Sequence, residues 1–124
     1  MRLTRDQFCA LLEQALDDLP AEFAQHLADV SVEVCDVPDA NTVRELGLSE
    51  KSDLLGLYCG HPLTDRSVSD AVQWPDRILI YQRNVERICR TRAEVIEQVR
   101  ITVLHELGHH FGLDEDDLEE LGYD

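Results

Sequence analysis

The chain has 124 residues, 44% of them apolar and 30% charged, the size and make-up of one globular domain with a single hydrophobic core; residues 1–124 are read as that domain. Its formal net charge of −15 excludes sequence-independent binding to nucleic acid, where basic side chains must neutralise phosphates. It also excludes docking on an anionic membrane face.

Met1 to Ala10 alternates charged and apolar residues, with no apolar run ahead of a small-residue cleavage site, so no export signal is read there. Thr4 to Leu19 then places Phe8, Leu11, Leu12, Ala15, Leu16 and Leu19 on one helical face, with Thr4 as the cap and Pro20 as the stop. Ala21 to Ala28 predicts a second, short helix. Val30, Val32, Val34 and Val37 alternate as in a half-buried strand that Pro38 ends. Thr42 to Leu46 suits a helical turn. Leu54 to Tyr58 predicts a second strand, closed by the turn residues Gly60, His61 and Pro62. Thr64 to Asp76 is polar and reads as a long loop. Ile78 to Tyr81 suits a buried strand, and Asn84 to Cys89 one or two helical turns.

The last long helix is the best specified. Thr91 and Glu94 form a capping box, and Gly112 supplies a left-handed stop after Phe111. Ile96, Val99, Val103 and Leu107 share one face; Ile101 and Leu104 extend it, so protein should nearly surround the second half. Beyond it, Asp114 suits the cap of a closing helix, Glu115 to Leu121. Charge is uneven along the chain. Six of the eleven basic residues lie between Arg77 and Arg100, while Asp114 to Asp124 holds seven acids and no base. These read as a basic surface segment and a solvated acidic tail, with pairing between them as the alternative. No stretch approaches the roughly 18 uncharged apolar residues of a membrane span. Cys9, Cys35, Cys59 and Cys89 are isolated and read as reduced, mostly buried thiols of a cytoplasmic protein, not as a zinc knuckle.

Chemistry concentrates at His105-Glu106-x-x-His109. Four residues apart on a helix, His105 and His109 project from one face within reach of one ion. Glu106, about 100° away, is kept from coordinating beside them but can reach a water on the metal. Zinc lowers the pKa of such a water towards ~7, and the carboxylate can take its proton and later deliver it to a leaving amine. The acids Asp114, Glu115, Asp116 and Asp117 follow where a third ligand must come from. His110 points about 100° away from His109, towards Val99 and Val103, and reads as packed in the core, with an orienting role behind the metal ligands as the alternative. His61 and His26 read as surface residues. Tyr58, Tyr81 and Tyr123 read as packing residues that could each steady an oxyanion.

Four segments carry a family resemblance: Leu-Asp-Asp-Leu-Pro ending the first helix, Leu54-Leu-Gly-Leu-Tyr-x-Gly-x-Pro-Leu-Thr64, Pro75-Asp-Arg-Ile-Leu-Ile-Tyr81, and Gln98-Val-Arg-x-Thr-Val-Leu-His-Glu-Leu-Gly-His-His-Phe-Gly112. Through them the chain, from Phe8 to Tyr123, resembles a minimal zincin-like metallopeptidase family of bacteria related to the metzincins. The resemblance implies an α+β zincin-like fold, a small mixed sheet packed on a long zinc-binding helix. It implies Zn2+ bound by His105 and His109, with Glu106 as general base. A metzincin-like third ligand, six positions after the second histidine, falls on Glu115; the similar family has Asp there, so Asp116 and Asp114 stand as alternatives. Met1 is the only methionine, so there is no Met-turn, and support beneath the zinc must come from other side chains.

The reading is a zinc metallopeptidase that hydrolyses peptide or protein substrates, binding them by addition to an exposed strand, Leu54–Tyr58 or Ile78–Tyr81. A zinc-binding protein-interaction module without turnover is the alternative. A metal-dependent endoribonuclease is a weaker one, since Glu106 and the net charge count against it.

Overall fold

The computed structural model describes residues 1–51, 54–60, 76–112, 116 and 119. Helix α1 (Arg5–Asp17) opens on a full capping box, the Thr4 hydroxyl accepting from the Gln7 N–H and the Gln7 side chain from the Thr4 N–H. Helix α2 (Ala21–Ala24) runs into a 3-10 turn, Gln25–Asp29, which leads to β1 (Val30–Cys35). Helix α3 (Ala40–Glu45) starts two residues earlier than the sequence suggests, because the Asp39 carboxylate accepts the Thr42 N–H at 2.7 Å and caps it. Strands β2 (Gly56–Cys59) and β3 (Asp76–Tyr81) follow, and β3 passes directly into α4 (Gln82–Ile88). The approach to β2 is fixed by Asn84, whose side-chain amide donates to the Lys51 and Leu54 carbonyls at 2.7 and 2.6 Å. Helix α5 (Arg92–His110) carries the expected capping box: the Thr91 hydroxyl and the Glu94 carboxylate each accept the other's N–H at 3.1 Å.

The sheet order is β1-β3-β2, with β3 parallel to β1 and antiparallel to β2. Ile78–Tyr81 is therefore the middle of the sheet, its backbone satisfied on both sides, and cannot take an added strand. Of the two strands considered, β2 pairs only with β3 among the described residues.

Helix α5 packs on α1, β2 and β3. Phe8, Leu12, Val99, Val103 and Leu107 share one core with Ile78 and Ile80. Being covered from two sides widens the buried arc of α5, so Val95 is fully buried where the single-face reading placed Ile96, which only packs against the margin. Thr102 is buried too, its hydroxyl satisfied by the Gln98 carbonyl at 2.8 Å. Burial stops after Gly108, so the last turn of α5 leaves the core. This is the α+β arrangement anticipated above, a small mixed sheet packed on one long helix. Of the cysteines only Cys89 is buried, the other three being half-buried, and all four are free thiols. Part of the basic segment pairs within the body of the protein: Arg83 with Glu86, Arg77 with Glu33 and Arg100 with Glu97.

Candidate metal centre

The approach of β2 to α5 builds the site. A side chain at Gly56 would place its Cβ 2.6 Å from Thr102 Cγ2 and 3.1 Å from the Leu79 carbonyl oxygen, so only glycine lets the strand lie this close to the helix. Leu55 pairs with Tyr81, whose N–H it accepts at 3.0 Å. Antiparallel pairs alternate between bonded and unbonded, so the backbone groups of Gly56 and Tyr58 turn away from β3, towards the outer edge. Tyr58 shares the sheet face of Gly56 and is thereby directed at α5.

On the last two turns of α5 the rings of His105 and His109 face each other, with centroids 6.1 Å apart and planes 30° from parallel. His105 is half-buried and His109 exposed. The Nε2 of His105 is wholly buried and has no hydrogen-bond partner among the described residues. A buried imidazole nitrogen without a partner carries a desolvation cost; a metal ion would remove it, since its neutral lone pair is a zinc donor. The histidine pair therefore fits a zinc ion. Among the described residues, Asp116 included, no three His, Cys, Asp or Glu side chains converge. Glu115 and Asp114 lie outside the described residues, as do His61 and Tyr123.

Glu106 is half-buried beside the pair. Burial pushes its carboxyl above the usual range, while the His109 ring and a hydrogen bond from the Tyr58 backbone N–H pull the other way.

His110 is not packed in the core. Its ring stacks on that of Tyr58, with centroids 4.0 Å apart and planes 13° from parallel, and its side chain is 28% exposed. The reason is where the core ends: one turn past Leu107, the direction towards Val99 and Val103 meets the edge strand instead. His110 Nε2 lies 3.7 Å from Asp76 Oδ2, and the Tyr58 hydroxyl donates to the same oxygen at 2.8 Å. Asp76, at the start of β3, was not among the candidates. The nearest signal in the sequence was Gly60, whose missing side chain would sit 2.7 Å from the Tyr58 ring and 3.0 Å from the Asp76 carboxylate. His26 is half-buried against Phe111, ring centroids 4.2 Å apart, and not a plain surface residue. Tyr81 is buried, and burial pushes its phenol up to about 12, so it is a packing residue.

A family model described as zincin-like metallopeptidase matches residues 27–123, well over half of the chain and all of β1 to α5. Comparison with curated proteins finds no match.

Proposed function

We propose, from the premise that the chain belongs to the zincin-like metallopeptidase family, that it is a zinc-dependent hydrolase cutting peptide bonds beside the His105–His109 pair. The observation that carries this reading is the buried Nε2 of His105, without a hydrogen-bond partner among the described residues, one helical turn from His109 and with Glu106 at their side. His105 and His109 would hold the metal, with Glu115 as the third ligand by its position in the sequence. When bound, zinc supplies Lewis-acid polarisation of the scissile carbonyl and acidifies water at its open coordination position.

Glu106 is the group that takes a proton from the attacking water and returns it to the leaving amine. The outward backbone groups of Gly56 and the Tyr58 carbonyl can receive an extended peptide as an added strand, which would bring a scissile bond past Glu106. Residues 1–124 act as one domain in this reading, supported by the packing of α1, outside the family match, on α5. No helix among the described residues is long and apolar enough to cross a membrane; with four free thiols, a cytoplasmic site of action is proposed.

The test is turnover of a peptide library by zinc-loaded protein and its Glu106→Gln variant. The variant should retain zinc and lose at least ~100-fold in rate, the usual worth of a general base. Zinc binding without turnover in the parent protein would favour the interaction module. Loss of zinc from Glu106→Gln would make Glu106 a ligand and sink the mechanism.

A further inference from the structure

The sheet has another edge, β1, on the far side of β3 from β2. Tyr81 gives its N–H to Leu55, so the alternate residues Ile78 and Ile80 turn their main-chain groups towards β1. In a parallel pair each of them bonds the two residues that flank its partner in register. Val32 lies opposite Ile78 and Val34 opposite Ile80, so the bonds fall on Ser31, Glu33 and Cys35. The main-chain groups of Val30, Val32 and Val34 therefore turn outwards. Arg5 agrees with this, since from α1 it donates to the Val34 carbonyl at 2.6 Å. The Val30 N–H is taken by the Leu27 carbonyl in the preceding turn. That leaves the Val30 and Val32 carbonyls and the Val32 and Val34 N–H groups with no partner among the described residues.

The side chains of the same three valines line an open groove of about 560 Å³ between β1 and α1, together with Leu12, Leu16 and Leu27. Ile78 and Ile80, beside them in the sheet, are fully buried, while the valines are half-buried. The apolar core thus runs out to this edge and has no further cover among the described residues. Outward main-chain groups and an apolar groove on one strand fit one kind of occupant. An extended chain bonds the edge and sends every second side chain into the groove. A small apolar molecule would fill the groove and leave the main-chain groups unpaired. Charge narrows the choice. Acids flank the seat on both faces: Glu13 lines the groove, and Glu33, which pairs with Arg77 at 3.3 Å, stays half-exposed on the other side of β1. Arg5, the base among the described lining residues, is taken up by Asp36. A second copy of the chain brings the same net charge of −15 and is repelled.

We propose that the outer edge of β1 and its groove with α1 form a peptide-docking site separate from the metal centre, which takes a basic, extended segment of a partner protein as an added antiparallel strand. Its alternate apolar side chains enter the groove beside Leu12 and Leu16, and Arg5 on the Val34 carbonyl marks one end of the seat. The site uses neither the metal nor Glu106, so it stands or falls apart from the peptidase reading.

The test is an NMR titration of the full chain with short capped peptides that alternate valine and lysine. Peptide should shift the Val32 and Val34 amides and slow their hydrogen exchange, which is fast in the free protein; Glu33 and Cys35, bonded to β3, should exchange slowly throughout. Residues directly opposite in an antiparallel pair share a face, so the valines that enter the groove are those whose N–H groups meet β1. N-methylation of the valines should weaken binding by about tenfold or more, as expected on losing main-chain bonds, and N-methylation of the lysines should leave it nearly unchanged. Glutamate in place of lysine should also cost about tenfold or more. Val32→Lys, an inward charge on the edge, should abolish binding; if it fails to fold, the N-methylated peptides decide on the unaltered protein. No shift at Val32 and Val34 at millimolar peptide, or equal weakening by the two N-methylations, overturns the site. So does protection of both amides in the free protein. Protection that grows with protein concentration puts a second copy on the edge, and protection at every concentration puts the chain's own cover there.

Discussion

Gly56 and Thr102 touch where strand β2 crosses helix α5, and a Cβ on the glycine would lie 2.6 Å from Thr102 Cγ2. The strand carrying Tyr58 therefore lies as near to the helix carrying Glu106 as main-chain and methyl contacts allow. Gly56→Ala should cost about 1–3 kcal/mol by overpacking and lower the melting temperature. Adding Thr102→Ser removes the clashing methyl but keeps the hydroxyl that donates to Gln98. The double variant should recover part of the loss. Equal melting of Gly56→Ala and the parent protein would show that the strand is not held at this distance.

The parent protein, purified without chelator, should carry a single zinc ion per chain. His105→Ala and His109→Ala should each be metal-free, because the pair is proposed to supply two of the ligands. His110→Ala should keep zinc at full stoichiometry, since that ring is taken up by Tyr58. Metal analysis of the three variants decides; zinc at full occupancy in both His105→Ala and His109→Ala would refute the site.

For the third ligand, Glu115→Ala should weaken zinc affinity by ~10–100-fold, the range seen when a site loses support. Asp114→Ala should spare the metal and cost about 1 kcal/mol, the worth of a helix cap. Competition with a chelator and a melting curve on each variant separate the two. Zinc lost from Asp114→Ala or Asp116→Ala but kept by Glu115→Ala would move the ligand to another position.

Glu86 gives a pH dependence remote from the metal site. Burial alone would raise its carboxyl, with 4% of its side chain exposed. Bonds from Arg83 at 2.7 Å, the Leu3 N–H at 2.7 Å and Gln82 at 3.2 Å outweigh that and hold it below its ordinary 4.5. A depressed folded-state value means that the stabilisation is complete above pH 4.5 and is lost as pH falls through the lower value. Glu86→Gln should therefore melt below the parent protein at pH 7, with the gap narrowing in acid below pH 4.5. A gap that stays constant down to pH 3 would show that the charge is not what matters.

What the sequence made legible was local. Thr4, Thr91, Glu94 and Gly112 act within a turn of their own helix ends, and each does what its neighbours predict; Gly112 takes φ +82°. The His105–His109 spacing is local in the same sense, because the helix itself sets it. His110 was misplaced because its surroundings depend on where α5 emerges from the core and on which face of β2 lies beside it. Both follow from a pairing between strands that the residues from Gly60 to Asp76 separate. Ile78–Tyr81 was offered as an edge for the same reason: an apolar run reads as buried, but its place in the sheet order is set by partners elsewhere. The contacts of Asp76 with Tyr58 and His110 could not be seen without the fold, since they join residues far apart in the sequence.

The tie between Leu3 and Glu86, 83 residues apart, and the packing of α1 on α5 bear on how the protein comes into being. Synthesis proceeds from the N-terminus, and domains settle as their parts emerge. Here the first helix meets the end of β1 through Arg5, but it does not gain its packing against α5, which carries His105 and His109, until the last part of the chain has left the ribosome. Long-range closure of this kind is slow compared with helix formation. The candidate metal site is therefore assembled in the same closing step that packs α1 on α5, and a nascent chain still attached at α4 lacks the cover that α5 gives to its first helix and its sheet.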